Sequence, residues 1–206
     1  MAGDEGVENM AGTERLIAFS DGVFAVAITL LVLDVQLPGL PAKVSDAALT
    51  AALVSILPRI GAYVLSFLVV GELWFLHHMR FRYIHRCDGT LIWLNLLLLL
   101  TVSFVPFTSA VLSQYGNATA IALYDATMAL AALLSAAMWA YATAKGHLVR
   151  SGINPRIRRR GLIGSSLVAG VFILSGVAAV IDPHAARWVW LLLLPAALRG
   201  WPGRGR

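Results

Sequence analysis

Glu14-Arg15-Leu16-Ile17-Ala18-Phe19-Ser20-Asp21-Gly22-Val23-Phe24-Ala25-Val26-Ala27-Ile28-Thr29-Leu30 is the stretch that decides the fold. From Leu16 the apolar run continues to Leu37, interrupted by Asp21 and Asp34. About 20 residues at 1.5 Å each cross the roughly 30 Å hydrocarbon layer of a bilayer, so this run reads as a membrane-spanning helix. Working outward, further apolar segments follow. The second ends near His78 and begins near Pro58, or near Ala47 if Pro58 only kinks it. The third covers about Leu91 to Leu112, the fourth Ala120 to Ala144 and the fifth Leu162 to Ile181. The last, Ala186 to Leu198, is short and contains Pro195.

The composition agrees. The chain is 59% hydrophobic and only 13% charged, about half the charge of a soluble domain. Lipid must therefore be the solvent for most of its surface. The net charge of +5 would suggest a nucleic-acid partner in a soluble protein. Here the basic residues sit between apolar segments and set topology instead. Arg80, Arg82 and Arg86 follow the second segment. Lys145, Arg150, Arg156, Arg158, Arg159 and Arg160 follow the fourth, and Arg199, Arg204 and Arg206 follow the sixth. The alternate loops hold only Lys43 and Arg187, with Arg59 at a helix end. The bias predicts six spans with both termini cytoplasmic. The run Arg156 to Arg160 also suits an anionic lipid or a partner, although a topology anchor is the simpler reading. Asp4, Glu5, Glu8 and Glu14 make the N-terminus unlike a signal peptide, and the single Cys87 implies no intrachain disulfide. Asn117-Ala118-Thr119 matches a glycosylation acceptor but reads as a polar turn.

Ionisable groups inside a span need partners, and they mark pairing networks or ion pathways. Arg15 and Asp21 are six apart and cannot pair on one helical face. His77, His78 and Asn95 fall at the same depth, so Asp21 is expected to accept from a histidine or from Asn95. Such a network would lock three helices together, or also gate or relay protons. Adjacent His77 and His78 point about 100° apart, which argues against a metal site. Higher on the first helix, Val26, Leu30, Leu33 and Leu37 share one face. Thr29 lies beside Val26, and Asp34 one turn beyond Leu30. Presented to a symmetry axis, this face would stack apolar rings, a hydroxyl ring and an outer carboxylate ring that concentrates cations.

Three patterns carry a resemblance. Arg15-x-x-x-Phe19-Ser20-Asp21 resembles the first-helix signature of the lysosomal-type potassium channels. Trp74-x-x-His77-His78 is similar to that family's tryptophan–histidine pattern. Leu91-Ile92-Trp93-Leu94-Asn95-Leu96, followed by Pro106-Phe107, is similar to its third-helix pattern. Together they cover the chain to about residue 112; beyond it only helix count and hydropathy agree.

The resemblance implies a single-repeat bacterial member: an all-α membrane protein of six helices, assembled as a homotetramer around a pore lined by the first helices. It places the constriction on Val26, the polar pore position on Thr29 and further apolar positions on Leu30 and Leu33. It makes Arg15, Phe19, Ser20, Asp21, Trp74, His77, His78 and Asn95 a packing network rather than ion contacts. Asp34 as a mouth charge rests on spacing alone. Val26 is smaller than the family's usual isoleucine or leucine, and Ala25 lacks the serine hydroxyl of some relatives. The implied domains are a cytoplasmic segment 1–14, a channel domain 15–199 and a basic tail 200–206. The implied function is passive, potassium-preferring conduction in the plasma (inner) membrane. No cofactor is expected and no metal beyond transient potassium; the partners are further copies of the chain and lipid. Like the family, the chain lacks a threonine-valine-glycine-tyrosine-glycine filter.

Three rivals predict different things. The first is a proton-permeable or poorly selective leak, or a transporter; transporters often show broken helices and inverted repeats, and the sequence shows neither, though Gly170 and Gly176 could interrupt the fifth span. A membrane enzyme would use Asp21 and the histidines as acid and base. A non-conducting scaffold would pack the first-helix stripe tightly against its own helices.

Overall fold

The computed structural model describes residues 2–41, 43–146, 148–149 and 153–193. Its elements are α1 (Ala2–Leu30), α2 (Asp46–Ser55), α3 (Leu57–Phe81), α4 (Gly89–Tyr115), α5 (Ala118–Ala144), α6 (Pro155–Ile181) and α7 (Pro183–Val189). Short 3-10 turns follow α1 at Leu31–Asp34 and α7 at Trp190–Leu193. Among the described residues, five helical stretches are long and apolar enough to cross a membrane: Gly12–Asp34, Leu57–Phe81, Gly89–Tyr115, Ala118–Ala144 and Pro155–Ile181. The sixth segment begins at Pro183 and is helical to Leu193; its continuation to Leu198 and the basic tail lie outside the described residues.

Local chemistry sets the helix ends. Pro58 sits in the first turn of α3, where its missing N–H costs nothing. The apolar residues before it form the separate helix α2, which Ser45 caps by accepting from the Ala48 amide. Asp88 starts α4 by accepting from the Leu91 amide at 2.8 Å. Gly116, at φ 57°, closes the same helix in the left-handed conformation that favours glycine. Asn117 then caps α5 through the Ala120 amide at 2.9 Å, so the Asn117-Ala118-Thr119 turn is a helix start. Gly170 and Gly176 do not break α6, which runs without interruption from Pro155 to Ile181.

α1 packs on α3 and α4, α4 on α5, and α5 on α6. Small residues allow the last pair to approach closely. The tightest point is Gly161, where an added Cβ would stand 2.5 Å from Trp139 Nε1. Trp139 in turn donates to the Arg158 carbonyl at 3.1 Å. A Gly161→Ala variant is therefore expected to lose about 1–3 kcal/mol by overpacking, read as a lower thermal midpoint in detergent, whereas Gly164→Ala, with open space at its Cβ, should stay near wild type.

The antiparallel path gathers the basic loops at one end of the bundle. The end of α3, the start of α4, the end of α5 and the start of α6 meet there, tied by an Ile84–Val149 bridge. Thr13 reaches this loop as well, donating to the His85 carbonyl at 3.2 Å and to Cys87 Sγ at 3.5 Å. Burial pushes the Cys87 thiol up, with the Thr13 hydrogen bond opposing and Asp88 adding to the rise. The thiolate fraction near pH 7 is therefore below that of a free cysteine. Maleimide labelling followed by mass is expected to be slow near pH 7 and to quicken only above the ordinary thiol range of about 8.5.

Candidate functional site

The candidate site is the face of α1 that the protomer leaves uncovered. Ser20, Phe24, Ala27 and Leu31 follow helical spacing, and each is at most 2% exposed. They turn toward α3 and α4. Opposite them, Val26 is 56% exposed, Leu30 43% and Leu33 63%, and Thr29 and Phe19 are exposed too. A scaffold that packs this stripe into its own core does not match that burial.

The stripe ends earlier than continuous helical spacing predicts. The α-helix stops at Leu30, tightens into the 3-10 turn and then runs as irregular chain. Leu37 therefore does not share the helical face. Asp34, rotated by the tighter turn, is half-buried and accepts a hydrogen bond from Ser113 of α4. Its carboxylate is tied sideways to its own subunit.

Thr29 has a defined polarity. Its hydroxyl donates to the Ala25 and Val26 carbonyls at 3.0 and 2.9 Å. The single proton is used inside the helix, so the oxygen lone pairs face outward beside Val26.

Behind this face the motif residues form two networks. In the first, Trp74 Nε1 donates to Asp21 Oδ1 at 2.7 Å, and the exposed His78 ring lies 5.7 Å from the Trp74 ring. The expected partner of Asp21, a histidine or Asn95, is thus replaced by the indole N–H. In the second, Ser20, Asn95 and His77, each fully buried, form a chain. Ser20 Oγ donates its only proton to the Leu16 carbonyl at 2.8 Å, so it must accept from Asn95 Nδ2 at 3.0 Å. Asn95 Oδ1 then faces His77 Nε2 at 2.8 Å, which makes that nitrogen the donor. Rings of Phe24 and Phe81 lie 5.5 and 4.5 Å from His77. Arg15 is exposed and makes no side-chain contact of this kind among the described residues.

Several polar residues escaped the sequence reading. Arg80, read there as a loop charge, is 5% exposed. It donates to the Ser135 carbonyl at 2.8 Å, the Gly161 carbonyl at 2.9 Å and the Ser135 and Ser165 hydroxyls. The signal was its spacing of three from His77, which places both on the buried side of α3. Ser66 bridges Ser109 at 2.9 Å and Tyr124 at 3.2 Å, joining α3, α4 and α5. Asp125 accepts from Trp190 at 3.0 Å and holds the last helical segment on α5. No group of three metal-ligating side chains occurs among the described residues.

Residues 15–106 match the family described as endosomal/lysosomal potassium channel TMEM175. A potassium channel of Streptomyces collinus is 42% identical over 148 residues, covering 69% of this chain and 68% of the relative. The chain belongs to the TMEM175 family. The human endosomal/lysosomal proton channel TMEM175 is 36% identical over 136 residues, which cover 61% of this chain and 27% of the human one. Among solved structures, the lysosomal potassium-selective channel TMEM175 homolog of Chamaesiphon minutus superposes with a TM-score of 0.78 at 29% identity. That likeness covers 92% of this chain and 98% of the homolog. TMEM175 proteins are ion channels and not enzymes. The family match ends at residue 106, in α4, whereas the likeness to the Chamaesiphon minutus homolog extends over α5 and α6 as well.

Proposed function

We propose that the chain is a potassium-preferring cation channel that conducts passively through a central pore, in a bacterial plasma membrane with both termini cytoplasmic. The observation that carries this reading is the open α1 face, with Val26, Thr29, Leu30 and Leu33 uncovered while the opposite face is buried. One copy cannot close a pore with one helix; a cyclic homotetramer does so and covers the apolar stripe. Val26 is then the constriction, and it gates by dewetting. Thr29 offers outward-facing oxygen to a partly dehydrated cation, and Leu30 and Leu33 extend the apolar section. Asp34 contributes to the field at the outer mouth while bonded to Ser113. The two hydrogen-bonded networks fix the rotation of α1 about its axis. No cofactor takes part.

The potassium over sodium preference is expected to fall about 2–10-fold in Thr29→Val, the worth of one hydrogen-bond-sized interaction, with flux retained. Reversal potentials in potassium and sodium gradients measure it. An unchanged ratio would move the selectivity element off Thr29, and a monomeric protein in mild detergent would overturn the tetramer. A proton-permeable or poorly selective pore is the second reading. It draws on the human relative, named a proton channel, and on the small Val26 side chain. Opposing potassium and proton gradients separate the two by the sign of the current.

A further inference from the structure

The outer surface of α6 joins a cationic end to an apolar stripe. Arg156, Arg160, Ile163, Leu167 and Leu174 fall on one helical face, with Arg159 at its edge. All three arginines are exposed, and Ile163, Leu167 and Leu174 are 45%, 59% and 53% exposed. From Arg160 to Ile181 the helix extends roughly 31 Å at 1.5 Å per residue, close to the roughly 30 Å of hydrocarbon. The arginines therefore stand just outside the hydrocarbon, at the depth of lipid phosphates, and the apolar side chains run inward from them.

Placing these charges here is unfavourable in isolation. Arg156, Arg158, Arg159 and Arg160 occupy the first two turns of α6, where the helix dipole disfavours cations. None of the four has a carboxylate partner among the described residues. Setting the topology does not require this face, because Arg82, Arg86 and Lys145 already supply positive charge at the same end of the bundle. An anion brought to the cluster removes both the mutual repulsion and the conflict with the dipole.

We propose that this stripe is a binding site for an anionic phospholipid of the leaflet at the basic end. Arg156, Arg159 and Arg160 hold the phosphate through bidentate guanidinium contacts. One acyl chain lies along Ile163, Leu167 and Leu174. The site is independent of what the pore conducts.

The test uses the full chain in mild detergent, with phosphatidylglycerol and phosphatidylcholine as probes and retained lipid read by native mass spectrometry. Wild type is expected to retain phosphatidylglycerol over phosphatidylcholine. Arg156→Gln combined with Arg160→Gln is expected to weaken phosphatidylglycerol roughly twentyfold, since each arginine near an anionic surface contributes about fivefold. Arg156→Lys combined with Arg160→Lys, which keeps charge and loses the planar fork, should fall between. Arg82→Gln combined with Arg86→Gln removes equal charge elsewhere and should retain the lipid as wild type does. Equal retention of the two lipids by wild type overturns the site. So does an equal loss in both glutamine pairs, which would make the attraction a property of net charge. If the first glutamine pair does not fold, the lysine pair against wild type decides, and identical retention there sinks the phosphate assignment.

Discussion

Liposomes carrying Val26→Asn are expected to pass potassium roughly tenfold faster or more than wild type, the effect of lowering a barrier by about 1.4 kcal/mol. The reasoning starts from the side chain. In the proposed tetramer four valines meet at the axis, and a narrow ring of methyl groups offers permeating water and ions no hydrogen-bond partner. A cation crossing it gives up hydration that the wall does not replace. Asparagine is close to valine in bulk but carries both a donor and an acceptor, so it keeps water in the constriction with little change in its width. Val26 is 56% exposed within the protomer, so the substitution disturbs little internal packing. Val26→Leu should act in the opposite direction, since the larger side chain tightens the seal. Unchanged flux in Val26→Asn, with the oligomer intact, would put the narrowest point elsewhere on α1. A fall in flux would mean that the ring does not act by dewetting.

The two faces of α1 were legible because helical periodicity sorts them directly. Val26, Leu30 and Leu33 recur on one side, and the burial of Phe24, Ala27 and Leu31 on the other completes the pattern. Periodicity assumes a constant turn, which is why it failed at Asp34 and Leu37, beyond the point where the helix tightens at Leu31. The partners of Ser20 and Asp21 needed three dimensions. Trp74 is visible as a family residue, but spacing alone does not show that its indole N–H, rather than a histidine or Asn95, reaches Asp21. The α2 helix was hidden because Ala47 to Ser55 is apolar and Pro58 permits either a kink or a start. Between α5 and α6 the packing relies on glycine, alanine and serine, whose hydropathy says nothing about which helix they face. The site of close approach at Gly161 is set by Trp139, far away in sequence, and no spacing rule connects them.

Arg80 was misread for a related reason, and its removal is the second large effect. A charged residue at the end of a span ordinarily reaches out to the interface, and the sequence alone supports that reading. Here the guanidinium turns inward and joins α3 to α5 and α6 through Ser135, Gly161 and Ser165, with the Trp139 ring 6.0 Å away. Among the described residues its partners are neutral oxygens, so what it contributes is geometry: a planar fork with donors aimed at two helices at once. Arg80→Leu is expected to cost about 2–4 kcal/mol, from the loss of its hydrogen bonds to α5 and α6 and an unfilled space between the helices. Thermal unfolding in detergent should show the loss. The serines set the mechanism apart from simple cavity formation. Both can turn back to carbonyls of their own helices, so Ser135→Ala or Ser165→Ala alone should cost less than 1 kcal/mol, near the modest average for hydrogen bonds between membrane helices. Arg80→Lys should recover only part of the loss, because one ammonium cannot meet the acceptors on both helices. An Arg80→Leu protein as stable as wild type would mean that the side chain spends its time in water at the basic end, and that α5 and α6 are held to α3 by apolar packing alone.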